Sequence, residues 1–339
     1  MSRPTMPDVA REAGVSVKTV SRVINREPSV KPATAERVTA AIAKLGFRRN
    51  DAARSLRSGR STSSIGLVIE DLGNPFYSML ARAVESVARK NDSLLISASS
   101  ESDLDLERRL VHEMCERRVD GLIIVPSVGD QSFVNEEMEM GTPAVFVDRP
   151  PTGVKTDVVL ADNAGGARAG LEFLIQRGHK SIAILAEDDR LYTMSQRLRA
   201  ARTVADRAGV ELVVATGLRT PAAAAAAAAG ILARHRPPTA IFALNNRTAI
   251  GALAQVAGRG GSVEVIGFDE FELAYLVPEM LAVVAHDAAD MGTQAAELLF
   301  ARIGGYAVKP KRVVIPAELI PCEMHKDQTV PPAWLPSGR

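Results

Sequence analysis

Two sets of residues in this chain are typed and spaced for chemistry. The first is the run Val17-Lys18-Thr19-Val20-Ser21-Arg22-Val23-Ile24-Asn25. At helical spacing Val20, Val23 and Ile24 share one face, which leaves Val17, Lys18, Ser21, Arg22 and Asn25 on the other. That outer face offers an apolar contact for a thymine methyl and two cations able to reach guanine or phosphate. The second set is polar and follows short apolar runs. Asn74, Phe76 and Tyr77 come after Ile65–Ile69, Asp148 and Arg149 after Ala144–Val147, and Asn245 and Asn246 after Ala240–Ala243. Arg197 follows Ile182–Leu185, and Asp269 follows the run that ends at Gly267. Asp and Asn suit sugar hydroxyls, Arg suits a hydroxyl pair or a carboxylate, and an aromatic ring stacks on a sugar face or a base. A single loop Asp or Asn more often makes a turn. Such residues at five strand ends together point to a ligand.

The first set needs a small helical scaffold. Thr5 and Asp8 flank Pro7 as a helix start. Val9, Ala10 and Ala13 then fall on one face, Gly14 permits a left-handed turn, and Ser16 caps the next helix. A third helix is expected over Pro32–Leu45, with Val38, Ile42 and Leu45 inward and Gly46 ending it. Three short helices with a tight first turn make a helix-turn-helix. Residues 50–58 form a hinge too short to be a stable helix alone in water. Asn50 can cap it, Ala53 keeps one face small, and Arg54 and Arg57 can meet phosphates. Leu56 has no evident core to join, so two such hinges side by side could press a pair of Leu side chains into a base step.

Charge separates this head from the rest. Residues 1–60 hold 13 Lys/Arg against 5 Asp/Glu, a net of +8, while the remainder is −7. A basic head on an acidic body implies a polyanion partner for the head. The body alternates short apolar runs with helical stretches of about 10–16 residues, the mark of parallel sheets covered on both faces. The runs fall into two sets, before and after about Asp162. Ala222–Ala229 reads as a crossover helix, and Ala288–Ile303 as a late helix followed by a run at Val313–Ile315. The expected division is a head of residues 1–60 and a body of residues 61–339 in two similar lobes.

Composition excludes several classes. A chain of 339 residues with 46% hydrophobic residues suits two or three globular domains. Apolar stretches are too short for a membrane span, and the N-terminal residues do not read as a signal peptide. The expectation is a cytoplasmic protein. Cys115 and Cys322 are the only cysteines, and the five histidines lack metal-ligand spacing. Dinucleotide, P-loop and nucleophile-elbow motifs are missing. We therefore expect neither an enzyme nor a cofactor.

The run Asp8-Val-Ala…Ala13-Gly-Val-Ser…Thr19-Val-Ser-Arg-Val-Ile-Asn25 resembles the LacI/GalR family of bacterial transcription regulators, and the resemblance extends over almost the whole chain. Supporting motifs are Asn-Pro-Phe at 74–76, Val-Asp-Gly-Leu-Ile at 119–123, Val-Asp-Arg at 147–149, Gly-His at 178–179 and Gly-Phe-Asp at 267–269. The resemblance implies a helix-turn-helix head with a hinge helix, joined to a two-lobed α/β body like a periplasmic binding protein; that body would bind effector and dimerise, with one lobe of about 61–161 and 288–315 and a second of about 162–287 with the C-terminal strand region, and the protein would be nucleoid-associated when bound to an operator. It makes 17–25 the recognition helix. Val17, Lys18 and Arg22 would read bases, and Thr19, Ser21, Asn25 and Ser29 would hold phosphates, with Thr5 and Ser16 beside them. Leu56 would be the minor-groove wedge. The implied effector pocket holds Asn74, Phe76, Asp148, Arg197, Asn245 and Asp269, to which Tyr77, Arg149 and His286 are added as neighbours. The implied function is a homodimeric repressor of palindromic operator DNA, controlled by a small sugar-like effector. Alternatives are a nucleobase or nucleoside effector, corepressor logic, or, remotely, a solute-binding protein. Departures from the family pattern include Pro7, Lys31, Phe47-Arg-Arg-Asn50, Ala200-Ala201, Asn246, His286-Asp287 and Pro321-Cys322.

Overall fold

Apolar spacing in the head resolves into three helices: α1 (Met6–Ala13), α2 (Val17–Ile24) and α3 (Pro32–Leu45). The computed structural model describes residues 4–24, 29–47, 62–257, 263–306 and 309–322. The chain divides into two units, residues 1–62 and 63–339. In the first, Val9, Ala10, Ala13, Val20, Val38 and Ala41 are buried together, with Val23, Ile24, Ile42 and Leu45 packed against them. The Asp8 carboxylate accepts from the Thr5 amide at 2.9 Å and the Thr5 hydroxyl at 2.5 Å, fixing the start of α1. Gly14 ends that helix at φ +64°, where a side chain would be strained. Arg37 on α3 donates to the carbonyl of Ala13 at 3.0 Å, which ties the turn to the third helix. The hinge expected over 50–58 lies outside the described residues.

The second unit contains two six-stranded sheets. Its elements are β1 (Ser64–Ile69), α4 (Pro75–Lys90), β2 (Leu94–Ser99), α5 (Leu104–Glu116), β3 (Leu122–Ile124), α6 (Phe133–Glu139), β4 (Ala144–Val147) and β5 (Asp157–Ala161). There follow α7 (Asn163–Gln176), β6 (Ser181–Leu185), α8 (Tyr192–Ala208), β7 (Glu211–Ala215), α9 (Pro221–Leu232), β8 (Ala240–Ala243), α10 (Asn246–Val256) and β9 (Glu264–Phe268). Last come β10 (Met280–His286), α11 (Ala288–Ile303), β11 (Arg312–Ile315) and β12 (Ala317–Pro321). The first sheet runs β11-β5-β4-β3-β1-β2 and the second β12-β10-β9-β8-β6-β7. All pairings are parallel except β12 against β10. Each sheet carries a buried apolar cluster on both faces, as doubly wound sheets require.

Strands β5, β7, β10 and β12 are additions to the runs read from the sequence. In β10, Leu281, Ala282 and Ala285 suit a helix as well as a strand, so only pairing with β9 and β12 decides it. β12 ends on Pro321 and pairs antiparallel at the sheet edge, where proline is tolerated.

Among the described residues the chain passes between the sheets three times, at 161–163, 286–288 and 315–317. The second crossing sends α11 back to the first sheet. There Gly292 lies so close to α4 that a Cβ would sit 2.5 Å from the carbonyl oxygen of Leu80. Arg302 on α11 grips the buried Asp157 of β5 with two bonds, of 2.7 and 2.9 Å. The three crossings set the carboxyl ends of both sheets around one cleft.

Candidate functional site

The third and fifth strands of each sheet supply the acids of this cleft. In the first sheet Glu70 follows β1 and Asp148 follows β4; in the second Glu187 follows β6 and Asp269 follows β9. Asp148 and Asp269 both have left-handed backbones, at φ +69° and +67°. Asp tolerates that conformation better than most residues, yet it still costs free energy. The cleft, counted together with the solvent-open space at its mouth, spans about 390 Å³ and is lined also by Asn74, Phe76, Tyr77, Arg149, Leu191, Thr193, Met194, Arg197 and Asn245.

Each sheet adds one buried arginine, and each arginine is engaged. Arg149 pairs with Glu70 and lies 3.0 Å from the Tyr77 hydroxyl. Its Nε is 3.3 Å from Asp148, and it donates to the Pro126 carbonyl at 3.3 Å. The Tyr77 hydroxyl sits between Glu70 and Asp148 at 3.3 and 3.2 Å. Burial pushes the Glu70 carboxyl up, but Arg149, together with Arg247 and Ser102, holds the group below its ordinary value. For Asp148 burial wins and the value is raised.

Arg197 donates to Asn163 at 2.7 Å and to the Leu244 carbonyl at 2.6 Å. It grips Asp269 at 3.2 and 3.0 Å, and its guanidinium lies 3.5 Å from the Phe268 ring centre. Its side chain is only 2% exposed, so Asp269 and the ring provide compensation that water cannot.

Contacts across the cleft join the two sheets' loops. Arg247 pairs with Asp71, and Asn246 donates to Asn74 at 2.8 Å. Asn74 also accepts from the Phe76 amide at 3.1 Å, capping α4. Asn245 caps α10 through the Thr248 amide at 2.8 Å and donates to Glu187 at 2.7 Å. Thus the caps that a turn reading would predict are present, and the same side chains also face the cleft.

Of the sequence-predicted effector residues, Asn74, Phe76, Tyr77, Asp148, Arg149, Arg197, Asn245 and Asp269 line the cleft. His286 is placed otherwise. Its ring is 1% exposed, behind Asp269, with Phe76 at 5.1 Å and Phe268 at 6.2 Å. Neither ring nitrogen has a hydrogen-bond partner. Burial lowers its pKa to about 4, which leaves it neutral near pH 7. His286, expected beside the effector, does not line the cleft: β10 carries its ring into the interior, beneath the wall. The neighbouring Asp287 caps α11 through the Asp290 amide at 2.8 Å.

Sequence reasoning passed over Glu70 and Glu187. Their signal was the one used for the others, an acid immediately beyond an apolar run. Burial, with Glu70 adding to it, raises the Glu187 carboxyl from 4.5 to about 7. An acid raised on folding makes the native state bind more protons between those values, so stability falls as pH rises through that window. Glu187→Gln keeps an oxygen for Asn245 and removes the charge. It should melt above the parent at pH 8 and match it near pH 4, as read by thermal denaturation of the full chain. A variant less stable than the parent at pH 8 would contradict the assignment.

In the first unit, Val17, Lys18 and Arg22 are exposed on α2, while Thr19 and Ser21 are half-buried. Ser16 caps that helix, accepting from the Thr19 amide at 3.1 Å and lying 2.9 Å from its hydroxyl. Thr5, Ser16 and Ser29 are exposed. Asn25, Asn50, Ala53, Arg54, Leu56 and Arg57 lie outside the described residues.

Residues 5–50 match the lacI family of bacterial regulatory proteins, and residues 171–323 match the periplasmic binding protein-like domain. The HTH-type transcriptional regulator GalS of Salmonella typhimurium is 30% identical over 301 residues, covering 87% of this chain and 88% of its own. The chain belongs to the LacI family. This LacI-family regulator is similar in structure to the Lac repressor dimer bound to operator and the anti-inducer ONPF. There the TM-score is 0.80 at 26% identity, covering 94% of this chain and 98% of that one. The transcriptional regulator CelR in complex with cellobiose gives a TM-score of 0.69 at 30% identity, covering 94% and 98%. The α/β architecture, with a helix-turn-helix head and a binding-protein-like body, is therefore the family's. Among the described residues no helix is long and apolar enough to cross a membrane.

Proposed function

We propose that this LacI-family regulator is a homodimeric repressor. Its heads bind a palindromic operator, and a small polyhydroxylated effector in the cleft controls that grip. The observation that carries the reading is the cleft itself, a buried polar site at the carboxyl ends of two doubly wound sheets, where such folds take ligands. CelR with cellobiose and the Lac repressor with operator and anti-inducer support the two halves separately.

The proposed coupling is a linkage. Effector favours one arrangement of the two sheets, and the spacing of the paired hinges at about 50–58 follows it. Leu56 in that segment would serve as the wedge.

Selection of bound sequences from random DNA by the purified full chain tests the DNA half. It should enrich a two-fold symmetric site. Failure to enrich one at low salt would sink the repressor reading. On the selected site, Arg22→Ala should weaken binding by about 1–3 kcal/mol, or roughly fivefold to 150-fold. Direct base reading requires that loss to change with the base pair opposite. A uniform loss over all variants of the site would reassign Arg22 to phosphate.

A further inference from the structure

Among the residues that line the cleft, carboxyl groups outnumber guanidinium groups. Four carboxylates line it, from Glu70, Asp148, Glu187 and Asp269, against the guanidinium groups of Arg149 and Arg197. Both arginines are committed, Arg149 to Glu70 and Asp148 and Arg197 to Asp269. The residues inferred from family resemblance account for Asp148, Arg197 and Asp269. Glu70 and Glu187 add two further acids, one from each sheet.

Two carboxylate oxygens in the cleft are left over. Asp148 uses Oδ2 for both Tyr77 and Arg149, and Oδ1 has no protein partner among the described residues. Glu187 uses Oε2 for Asn245, and Oε1 likewise has none. Both residues are more than nine-tenths buried, with exposures of 4% and 6%, and both line the cavity. Both oxygens are therefore open to a ligand group that can donate to them.

We infer that the effector is a polyhydroxylated amine, an amino sugar in chemical class, whose ammonium group is received by Glu187 and Asp148. This rests on the cleft being the effector site. The ammonium supplies three donors and a positive charge to two open acceptors. Asn74, Asn245 and Thr193 suit the hydroxyls, and Phe76, Leu191 and Met194 provide an apolar wall for a sugar face. A phosphate or carboxylate on the ligand would meet surplus negative charge and two guanidinium groups that already have carboxylate partners. Glu187, raised to about 7 by burial and Glu70, would be drawn back to its ionised form by a bound cation.

The test is calorimetric titration of the full chain near neutral pH with matched sets of sugars. Each set holds the amine (glucosamine, galactosamine or mannosamine), its neutral parent, its N-acetyl form and its 6-phosphate. We expect at least one amine to bind about tenfold or more tightly than both its parent and its N-acetyl form, and the phosphates not to bind. Glu187→Gln should shrink that ratio to within about threefold of unity, and its thermal denaturation shows whether it is folded. A parent, N-acetyl form or phosphate that binds as tightly as its amine overturns the amine assignment and leaves the cleft as the effector site. An undiminished amine preference in Glu187→Gln also overturns it. Binding by no member of any set overturns both this assignment and the polyhydroxylated effector.

Discussion

Asp269→Ala is expected to destabilise the protein by about 3–5 kcal/mol and to abolish its response to effector. The residue does three things at once. It neutralises Arg197, whose side chain is 2% exposed; it accepts two of that guanidinium's bonds, at 3.2 and 3.0 Å; and it holds a left-handed backbone at φ +67°. Alanine removes the counter-charge and both acceptors, and it tolerates that backbone less well than Asp. The Leu244 carbonyl, Asn163 and the Phe268 ring remain around Arg197, so the cost belongs at the lower end of the range. Asp269→Asn separates the causes, since it tolerates the left-handed region and keeps one acceptor while losing the charge. Urea denaturation should place it between the parent and the alanine variant. A double variant, Arg197→Met with Asp269→Asn, should recover much of the loss, because no buried cation is left unpaired. An alanine variant within about 1 kcal/mol of the parent would mean that the ion pair is immaterial to the fold. A ligand-induced melting shift equal to the parent's would move the effector contact elsewhere.

The head was the most legible part of the chain, because its signals are local. Caps, the Gly14 turn and the inward faces each depend on residues within one or two helical turns, and α1, α2 and α3 lie where those signals placed them. In the body, most strands were readable as short apolar runs, whereas the Val and Leu runs of β5 and β7 were passed over and β10 and β12 depend on pairing partners distant in sequence. The cleft was legible where an acid or amide directly follows an apolar run, as at Asp148 and Asn245. Glu70 was hidden by the turn-like Asp71-Leu-Gly-Asn74 that follows it. Glu187 was hidden by Asp188-Asp189-Arg190, a charge run that reads as solvated surface. Asp188 and Arg190 do pair with each other there, at 2.6 Å with Arg190 exposed, while Glu187 turns inward. The Arg247–Asp71 contact, 176 residues apart, and the burial of His286 are products of the three crossings between sheets. Periodicity carries no trace of them.

Arg149→Leu should cost about 3–5 kcal/mol near pH 8, and the cost should shrink on acidification. In the parent, Arg149 compensates Glu70 and lies 3.3 Å from Asp148, with Tyr77 bridging the two acids. Glu70 is held below its ordinary 4.5 despite burial. A depressed carboxylate contributes stability above its unfolded pKa and loses it as pH falls through the folded value. Without the guanidinium, burial and mutual repulsion dominate, and both acids move above their unfolded values. The sign then reverses. The variant's native state takes up protons that its unfolded state does not, so it gains stability relative to the unfolded chain as pH falls towards about 4.5. The gap between parent and variant should therefore be widest at pH 8 and narrow steadily to pH 5, measured as urea-denaturation free energies of the full chain. Leucine fills much of the vacated volume, so a cavity contributes little to the difference. A gap that stays constant from pH 8 to pH 5 would assign the loss to packing and leave the four-carboxylate cleft without its electrostatic meaning.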